Sequence, residues 1–545
     1  MFQIESYLKS EIEASCDRLS YPLTEFVLET PKQEAHGDIS TNVAMQLAGS
    51  QKSNPRQLAQ TIIDNLQLDN KLIEKVEIAG PGFINFFYTR GFLQQIVSGI
   101  LEESENFGQN QSGAGKKAQV EFVSANPTGP LTIGHGRQAV LGDTIANFLE
   151  WSGYQLSREY YFNNAGRQMR VLGESVRLRY LQLLGEKIDF PDDHYQGEYI
   201  QDIARTIYDK YGDSLRDNAE SAIFKDTAEQ VIFEDIKKTL SRLGIVFDVF
   251  FNEKDLYDNG DIDRVIRLFR EKDLAYEKDG ALWFRTSSLG LEEDRVIVKS
   301  SGEPTYRLPD IAYHRTKFER GFDTIVDIFG ADHIATYPDV LAGLRALGYD
   351  AGRVKVLIHQ FVTLYEGSEK VKMSTRKANF VTLDELVDEA GPDVTRWFFL
   401  MRSMDSHLNF DLTLAKTQSD ENPVYYNQYA HARICSILRN AEEKGLKFKK
   451  AAYLGRLEHP SELQLIKILM DFPKVVERCA AEFLPHQLTQ YLSDTSTAFH
   501  KFYTECWVLT EDRELSLARL SLCMAAKTVL ANGFKILGVS APERM

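Results

Sequence analysis

Residues 119–153, QVEFVSANPTGPLTIGHGRQAVLGDTIANFLEWSG, constrain the fold more than any other passage. QVEFVSA reads as a buried strand and GRQAVLGDTIANFLEW as a helix stopped at Gly153, with a loop rich in Pro and Gly between them. A strand that feeds straight into a helix must return to its sheet by a crossover, so the next strand, QLSREYYFN, lies parallel to the first. RVIVKS, DTIVDIFG and VKVLIHQFVTL are further strand-like runs separated by helical text. This alternation predicts a parallel sheet with helices on both faces. Ligands of such sheets bind at the carboxyl edge of the strands, and a helix N-terminus there offers free N–H groups to phosphate. Gly134 and Gly136 would admit a nucleotide, with His135 beside its phosphates. Alternatively, the glycines make only a turn and His135 only a cap.

The rest of the chain sorts around that unit. Residues 1–108 read as an α+β domain. It has helical patterns at both ends of HGDISTNVAMQLA, where Asp38, Ser40 or Thr41 can cap a helix, and two strands about Gly80-Pro81-Gly82. Residues 109–117 are rich in Gly, Ser and Asn and read as a linker. The expected fold class is therefore α/β: a Rossmann-type parallel-sheet catalytic domain (118–415) with a helical insertion at about 168–255. The N-terminal α+β domain precedes it. A C-terminal all-α helical bundle (416–545) follows, in which every long segment is amphipathic helix.

Composition narrows the function. The net charge of −16 argues against indiscriminate nucleic-acid binding, although residues 422–545 carry a net +3, which suits local contact with RNA or is chance variation of the surface. The five cysteines are scattered without a CxxC pair, so no protein-bound metal site and no disulfide framework is expected, and a reducing cytoplasm is the expected location. No apolar run reads as a membrane span, and the acidic N-terminus lacks the pattern of a signal peptide.

A second loop sharpens the reading. EKVKMSTRKANFVTLDELVDEAG (369–391) packs Lys370, Lys372, Arg376 and Lys377 around Met373 and Ser374, directly after a strand. Such a loop can close over a polyphosphate and stabilise charge developing there. TIGH (Thr132 to His135) and KMST (Lys372 to Thr375) resemble the HIGH and KMSK signatures of class I aminoacyl-tRNA synthetases. SANPTGPLTIGHGRQAVLGD, YRLPDIAYH, KMSTRKANFVTLDEL, NPVYYNQYAHARICSI and the terminal LGVSAPERM resemble the arginyl-tRNA synthetase family in order along almost the whole chain. HGDISTNVAMQLA and AGPGFINF resemble that family's additional N-terminal domain.

The resemblance implies activation of L-arginine by ATP, with Mg2+, to arginyl-adenylate and pyrophosphate, then transfer to the 3′-terminal ribose of the tRNA for arginine. It implies catalytic roles for His135, Lys372, Ser374 and Arg376, and ATP contacts from Thr132, Gly134, His135, Gly136, Lys372 and Met373. The sequence departs from the signatures at Thr132, where HIGH begins with histidine, and at Thr375, where KMSK ends with lysine; either the neighbouring Arg376 supplies a replacement charge, the preferred reading, or Lys372 carries more of the load. Arginine recognition falls to Glu121, Asn126, His135, Tyr306 and Asp310, since a carboxylate matches the guanidinium fork bidentately. Read without the family, Asp310 suits a helix cap and Glu121 a strand carboxylate paired with a basic neighbour. Asp332 and His333 stand after a strand with no role assigned. The C-terminal bundle implies an anticodon-binding surface at Tyr429, Arg433 and Tyr503, near Tyr425, Tyr426, His431 and Trp507. A monomer without membrane association is expected. Two rivals remain: a nucleotidyltransferase acting on another small acid, and a synthetase-derived RNA-binding protein without catalysis.

Overall fold

A five-stranded, wholly parallel sheet stands at the centre of the computed structural model, which describes residues 4–23, 25–31, 33–164, 166–218, 222–331, 334, 336–367, 369–371, 381–446 and 451–545. Its strand order is Val354–His359, Thr324–Gly330, Lys117–Glu121, Gln155–Phe162, Val249–Asn252. The chain builds outward in one direction from Lys117–Glu121, then returns to build in the other. The switch point therefore falls between Lys117–Glu121 and Thr324–Gly330, where Glu121 and Asp327 are register partners.

Alternate side chains on these strands serve two different cores. Val326, Ile328 and Tyr160 join the core that holds the helix Ile133–Trp151, whereas Ile325 and Tyr161 join one with Leu308, Ile311 and Tyr313 of the helix Arg307–Glu319. Both faces are thus covered, as a parallel sheet requires. The helix Ile133–Trp151 is buried along most of its length. A Cβ on Gly142 would come within 2.2 Å of the Phe122 ring, so the helix lies against the first strand only because that position has no side chain.

Three sequence expectations change in the structure. RVIVKS is a strand, Arg295–Val298, but it belongs to an antiparallel sheet with Ala275–Lys278 and Ala281–Phe284. The Asp279-Gly280 turn, with both residues at positive φ, forces that hairpin. VKVLIHQFVTL breaks in two. Val354–His359 completes the parallel sheet, and Val362–Glu366 pairs with Leu408–Asp411 and Glu369–Lys370 in a separate sheet. The text read as helical over 168–255 does contain the helices Gly166–Leu183, Glu198–Tyr211 and Ala222–Arg242, but it also contains Val249–Asn252, the edge strand of the parallel sheet.

The N-terminal region forms a four-stranded antiparallel sheet packed with helices Ile4–Arg18, Val43–Gln51, Pro55–Asp64 and Arg90–Glu103. Of the proposed caps, Asp38 instead accepts from the Tyr88 N–H at 2.7 Å and Ser40 lies in the strand Ile39–Thr41; Asn42 stands at the cap position without a side-chain bond, and it is Thr41 Oγ1, at the end of that strand, that accepts from the helix's first N–H, Val43, at 3.3 Å. Residues 109–117 are anchored: Asn110 N–H donates to Trp151 O at 3.1 Å and Gly113 N–H to Ser152 O at 2.8 Å.

Five long helices, from Pro423–Glu443 to Arg513–Leu537, make the C-terminal bundle. By length and composition Arg513–Leu537 could cross a membrane, contrary to the expectation from sequence, but 72% of its most apolar window is buried inside the protein. Arg396 ties the parts together. Its guanidinium donates to Leu537 O at 2.8 Å, to Leu243 O at 2.8 Å and to Asp143 Oδ2 at 2.6 Å. Three partners belonging to the last helix, the helical insertion and the glycine-rich helix therefore meet on one buried cation.

Gly142→Ala should destabilise the protein by roughly 1–3 kcal/mol through overpacking against Phe122, read as a lower urea midpoint; an unchanged midpoint would show that the helix can shift without cost.

Candidate functional site

The first strand ends at Glu121, and the loop after it is strained. Val123 (φ 67°) and Ser124 (φ 41°) both occupy the left-handed region, which costs a β-branched valine most. Surrounding hydrogen bonds hold them there. Ser124 Oγ donates to Glu121 Oε1 at 3.0 Å and accepts from Tyr161 N–H at 3.1 Å, and the hydroxyls of Tyr160 and Tyr199 donate to Ala125 O at 2.7 Å and Thr128 O at 2.6 Å. Asn126 donates to Gln168 Oε1 at 2.6 Å.

The helix then opens at Ile133 with Thr132 as its cap. The His135 N–H donates to Thr132 Oγ1 at 3.5 Å and Thr132 N–H to His135 Nδ1 at 3.2 Å, a reciprocal capping box. Because Nδ1 accepts, the ring proton of neutral His135 sits on Nε2. Among the described residues, no partner takes the N–H groups of Ile133 and Gly134, the two donors an anion at this helix end would use. A Cβ on Gly134 would meet Thr132 Oγ1 at an ordinary 3.7 Å, whereas one on Gly136 would lie 2.5 Å from Leu383 Cδ1. Gly136 serves the packing of this helix against the segment after the cationic loop.

That segment is stitched to the glycine loop. Thr132 and Thr382 form an antiparallel bridge, and Leu383 N–H donates to Leu131 O at 2.8 Å. Lys372, Met373, Ser374 and Arg376 lie outside the described residues, as do Asp332 and His333, but the exit of their loop is fixed beside Thr132.

Across the carboxyl ends of the strands lies a dense set of buried charges. Lys317 is fully buried and donates to Glu121 Oε2 and Asp327 Oδ1, each at 2.6 Å. His314 places Nε2 2.7 Å from Asp327 Oδ2 and Nδ1 2.8 Å from Asp310 O, so both its ring nitrogens face acceptors. Burial works to raise Asp327, but Lys317 and His314 overcome it and hold that carboxyl well below the usual range. Glu159 is matched by Arg320 at 2.8 Å and by the Tyr313 hydroxyl at 2.6 Å.

Two carboxylates remain without a cation. Glu253, directly after the strand Val249–Asn252 and 7% exposed, accepts only from the Tyr161 hydroxyl at 3.0 Å. Among the described residues, Asp310 has no ion pair and no hydrogen bond to its carboxylate. Burial, with Glu121 and Glu253 adding and His314 and Lys317 opposing, pushes Asp310 up to about 7. Burial also raises Glu253, against its Tyr161 bond. Two carboxylates that lack a counter-charge among the described residues, Glu253 buried and Asp310 half-buried, favour a cationic ligand.

Sequence reasoning placed Glu121, Asn126, Thr132, Gly134, His135 and Asp310 around one strand edge, and the structure brings them there. It places Glu121 differently from a free ligand group, since Lys317 already neutralises it. Tyr306 stands at the start of Arg307–Glu319 and is 71% exposed. Asp310 lies inside that helix's first turn rather than capping it. Glu253, Tyr161, His314 and Lys317 were missed. Asp310, His314 and Lys317 recur at helical spacing on one face, and Glu253 follows a strand end, so both signals were present.

In the C-terminal bundle the Arg433 guanidinium lies between two rings, 4.7 Å from the Tyr429 centroid and 5.1 Å from that of Tyr503. Tyr425 stacks on Tyr429 at 6.2 Å. Trp507 is 82% exposed. His431 is instead buried, bonded to Pro542 O at 2.9 Å, and belongs to the seat of the C-terminal tail.

Comparison with known proteins decides the family. The arginine–tRNA ligase of Desulfotalea psychrophila is 55% identical over 522 residues, covering 95% of each chain. The chain belongs to the arginyl-tRNA synthetase family. The arginine–tRNA ligase of Salinibacter ruber is 50% identical over 99% of this chain and 100% of its own. Three family models tile the sequence: "Arginyl tRNA synthetase N terminal domain" (3–88), "tRNA synthetases class I (R), catalytic domain" (96–397) and "DALR anticodon binding domain" (427–545). The Thermus thermophilus arginyl-tRNA synthetase structure matches the fold over all of both chains, with a TM-score of 0.78 at 23% identity. The Rossmann-type sheet, the N-terminal domain and the C-terminal helices are thus the architecture of this synthetase family.

Asp310 holds its proton in the folded protein up to about pH 7, while the unfolded chain releases it near pH 4. Stability therefore falls as pH rises between those values. Asp310→Asn should stabilise the protein at pH 8 by on the order of 2–4 kcal/mol and have little effect at pH 4, read from denaturant midpoints at both pH values. Equal effects at both would contradict the burial of an unpaired carboxylate.

Proposed function

We propose that this chain, an arginine–tRNA ligase by family, receives the guanidinium of L-arginine between Asp310 and Glu253, under the Tyr161 hydroxyl. The reaction joins arginine to ATP as arginyl-adenylate, releasing pyrophosphate, and transfers the arginyl group to the 3′-terminal ribose of its tRNA, releasing AMP. The observation that carries the pocket is the charge balance. Glu121 and Asp327 share Lys317 with His314 in support, Glu159 has Arg320, and of this group Asp310 and Glu253 have no ion pair among the described residues. A guanidinium supplies the missing charge and a planar fork of donors.

With the side chain held there, the α-carboxylate of arginine reaches toward the start of Ile133–Trp151. Asn126 and His135 attend its amino and carboxyl groups. The N–H groups of Ile133 and Gly134, with Thr132, take phosphate oxygens of ATP, which enters with Mg2+ as its counter-ion. The arginine carboxylate attacks the α-phosphorus, and charge accumulates on the departing pyrophosphate. Donors already fixed at a helix end stabilise that charge without reorganising. Lys372, Ser374 and Arg376, on the loop whose exit is bridged to Thr132, complete the stabilisation. Met373 and Gly136 set the loop and helix against each other. Tyr306, exposed at the mouth, closes over the arginine side chain. In the second step the terminal ribose hydroxyl attacks the activated carbonyl and AMP leaves.

The platform of Tyr429, Arg433 and Tyr503 receives unpaired anticodon bases. A guanidinium between two rings presents a flat cationic edge on which a base stacks. The chain acts as a cytoplasmic monomer, with residues 1–108, 118–415 and 416–545 as its tRNA-corner, catalytic and anticodon units.

Asp310→Asn should raise the KM for arginine at least about 100-fold in tRNA-dependent ATP–pyrophosphate exchange, because it breaks a buried ion pair with substrate, and should leave the KM for ATP within about twofold. An unchanged arginine KM would remove Asp310 from the pocket. Arg433→Ala should raise the KM for tRNA about tenfold in aminoacylation with kcat little changed; an unaltered tRNA KM would show that the Tyr429–Tyr503 platform only packs the bundle.

A further inference from the structure

A cavity of ≈ 550 Å³ opens where the N-terminal sheet meets the helices Pro460–Met470 and Phe472–Glu482. It lies near the far end of Ile133–Trp151 from the glycine loop: Asn110 on its rim donates to Trp151 O. That helix has 19 residues, which separates the two ends by about 28 Å at 1.5 Å per residue. The volume falls within the ~300–1,000 Å³ usual for small-molecule sites.

The wall is acidic, and among the described residues its two lysines are already paired. Lys467 pairs with Asp38, and Lys474 pairs with Glu5 at 2.6 Å. Asp471 also lines the cavity and, among the described residues, has neither an ion pair nor a hydrogen bond to its carboxylate. Tyr88 lines the same space and is 6% exposed; its hydroxyl stands near Asp38, Glu5 and Asp471 and has no hydrogen-bond partner among the described residues. Burial of the unpaired Asp471 pushes it up to about 6, against the pull of Lys474. Glu477 adds another wall carboxylate. A phenol oxygen at the end of a buried ring and a carboxylate without a counter-ion, both opening on the cavity, can accept from a donor that carries positive charge.

We propose that this cavity is a binding site for a small aliphatic polyamine, one ammonium group of which is shared by Asp471 and the Tyr88 hydroxyl. An ammonium donates to both oxygens, and a flexible polyamine places its further charges against the remaining carboxylates of the wall. A nucleotide or other anion is disfavoured, because both wall lysines are already paired. A metal ion is disfavoured too: among the described residues no group of three or more His, Cys, Asp or Glu side chains converges to hold one. Because the walls come from the N-terminal sheet and the C-terminal helices, a bound amine would fasten those regions to each other.

The test is calorimetric titration of spermidine into the full-length protein at pH 7.5 and constant ionic strength, with Asp471→Asn, Tyr88→Phe and Asp310→Asn as variants. Asp471→Asn keeps the shape and removes an unpaired charge, so it folds. Saturable binding to one site is expected, weakened about tenfold by Asp471→Asn and by a smaller factor by Tyr88→Phe, with Asp310→Asn unchanged. Four superimposable isotherms, no saturable binding to the unsubstituted protein, or weakening by Asp310→Asn alone would each overturn the proposal.

Discussion

Lys317 is the interaction on which the site depends. It sits fully buried where two parallel strands diverge at the switch point, and it neutralises one carboxylate from each, Glu121 and Asp327. Without it two carboxylates would stand side by side in a dry sheet edge, and such a pair would protonate or push the strands apart. With it, the two register-partner carboxylates share one cation, and the helix Arg307–Glu319 is pinned across the two strands. The same helix that delivers Lys317 as a counter-ion, with His314 beside it, delivers Asp310 without an ion pair among the described residues. Neutralised and unneutralised carboxylates therefore lie within two helical turns of each other, and that contrast is what the proposed arginine pocket rests on.

The rest of the molecule holds this edge against the glycine loop. The strained Val123 and Ser124 survive because Glu121, Tyr160 and Tyr161 fix the loop from two strands. The bridge between Thr132 and Thr382 fastens the cationic segment's exit to the helix that would bind phosphate. Arg396 links that helix, through Asp143, with the insertion and with the end of the last helix. The tail beyond it is bound to helix Pro392–Leu400: Ser540 N–H donates to Asp393 Oδ1 at 3.0 Å. Movement of the C-terminal helices would thus be felt at Asp143, on the helix that starts at the glycine loop. The apolar terminal helix and the tail motif act as one structural joint.

The sequence exposed the parallel sheet readily, because a strand running into a glycine loop and a long helix leaves little topological freedom. It misplaced RVIVKS, since a short strand's partner is chosen by the turn before it, and the Asp279-Gly280 turn outranks the alternation of strands and helices. It joined two strands at Gln360, where no Gly or Pro marks the change of sheet. Family motifs brought Asp310, Asn126 and His135 into view, but they could not show that Glu121 is already paired or that Glu253 is not. Those facts depend on which side chains converge from Val249–Asn252 and Arg307–Glu319, more than 50 residues apart. Gly136 shows the same limit: its spacing fits close approach of a ligand, and its surroundings make it a packing residue against Leu383.

The most direct test of the account is the proton balance of arginine binding, measured by calorimetry in buffers of different ionisation enthalpy at pH 6 and pH 8.5. In the free site Asp310 sits at about 7, so arginine must displace its proton at the lower pH. Release of about one proton at pH 6 and of almost none at pH 8.5 is predicted, with the pH 6 release abolished in Asp310→Asn. Arginine binding with no proton release at pH 6 would contradict the claim that an unpaired buried carboxylate awaits the guanidinium.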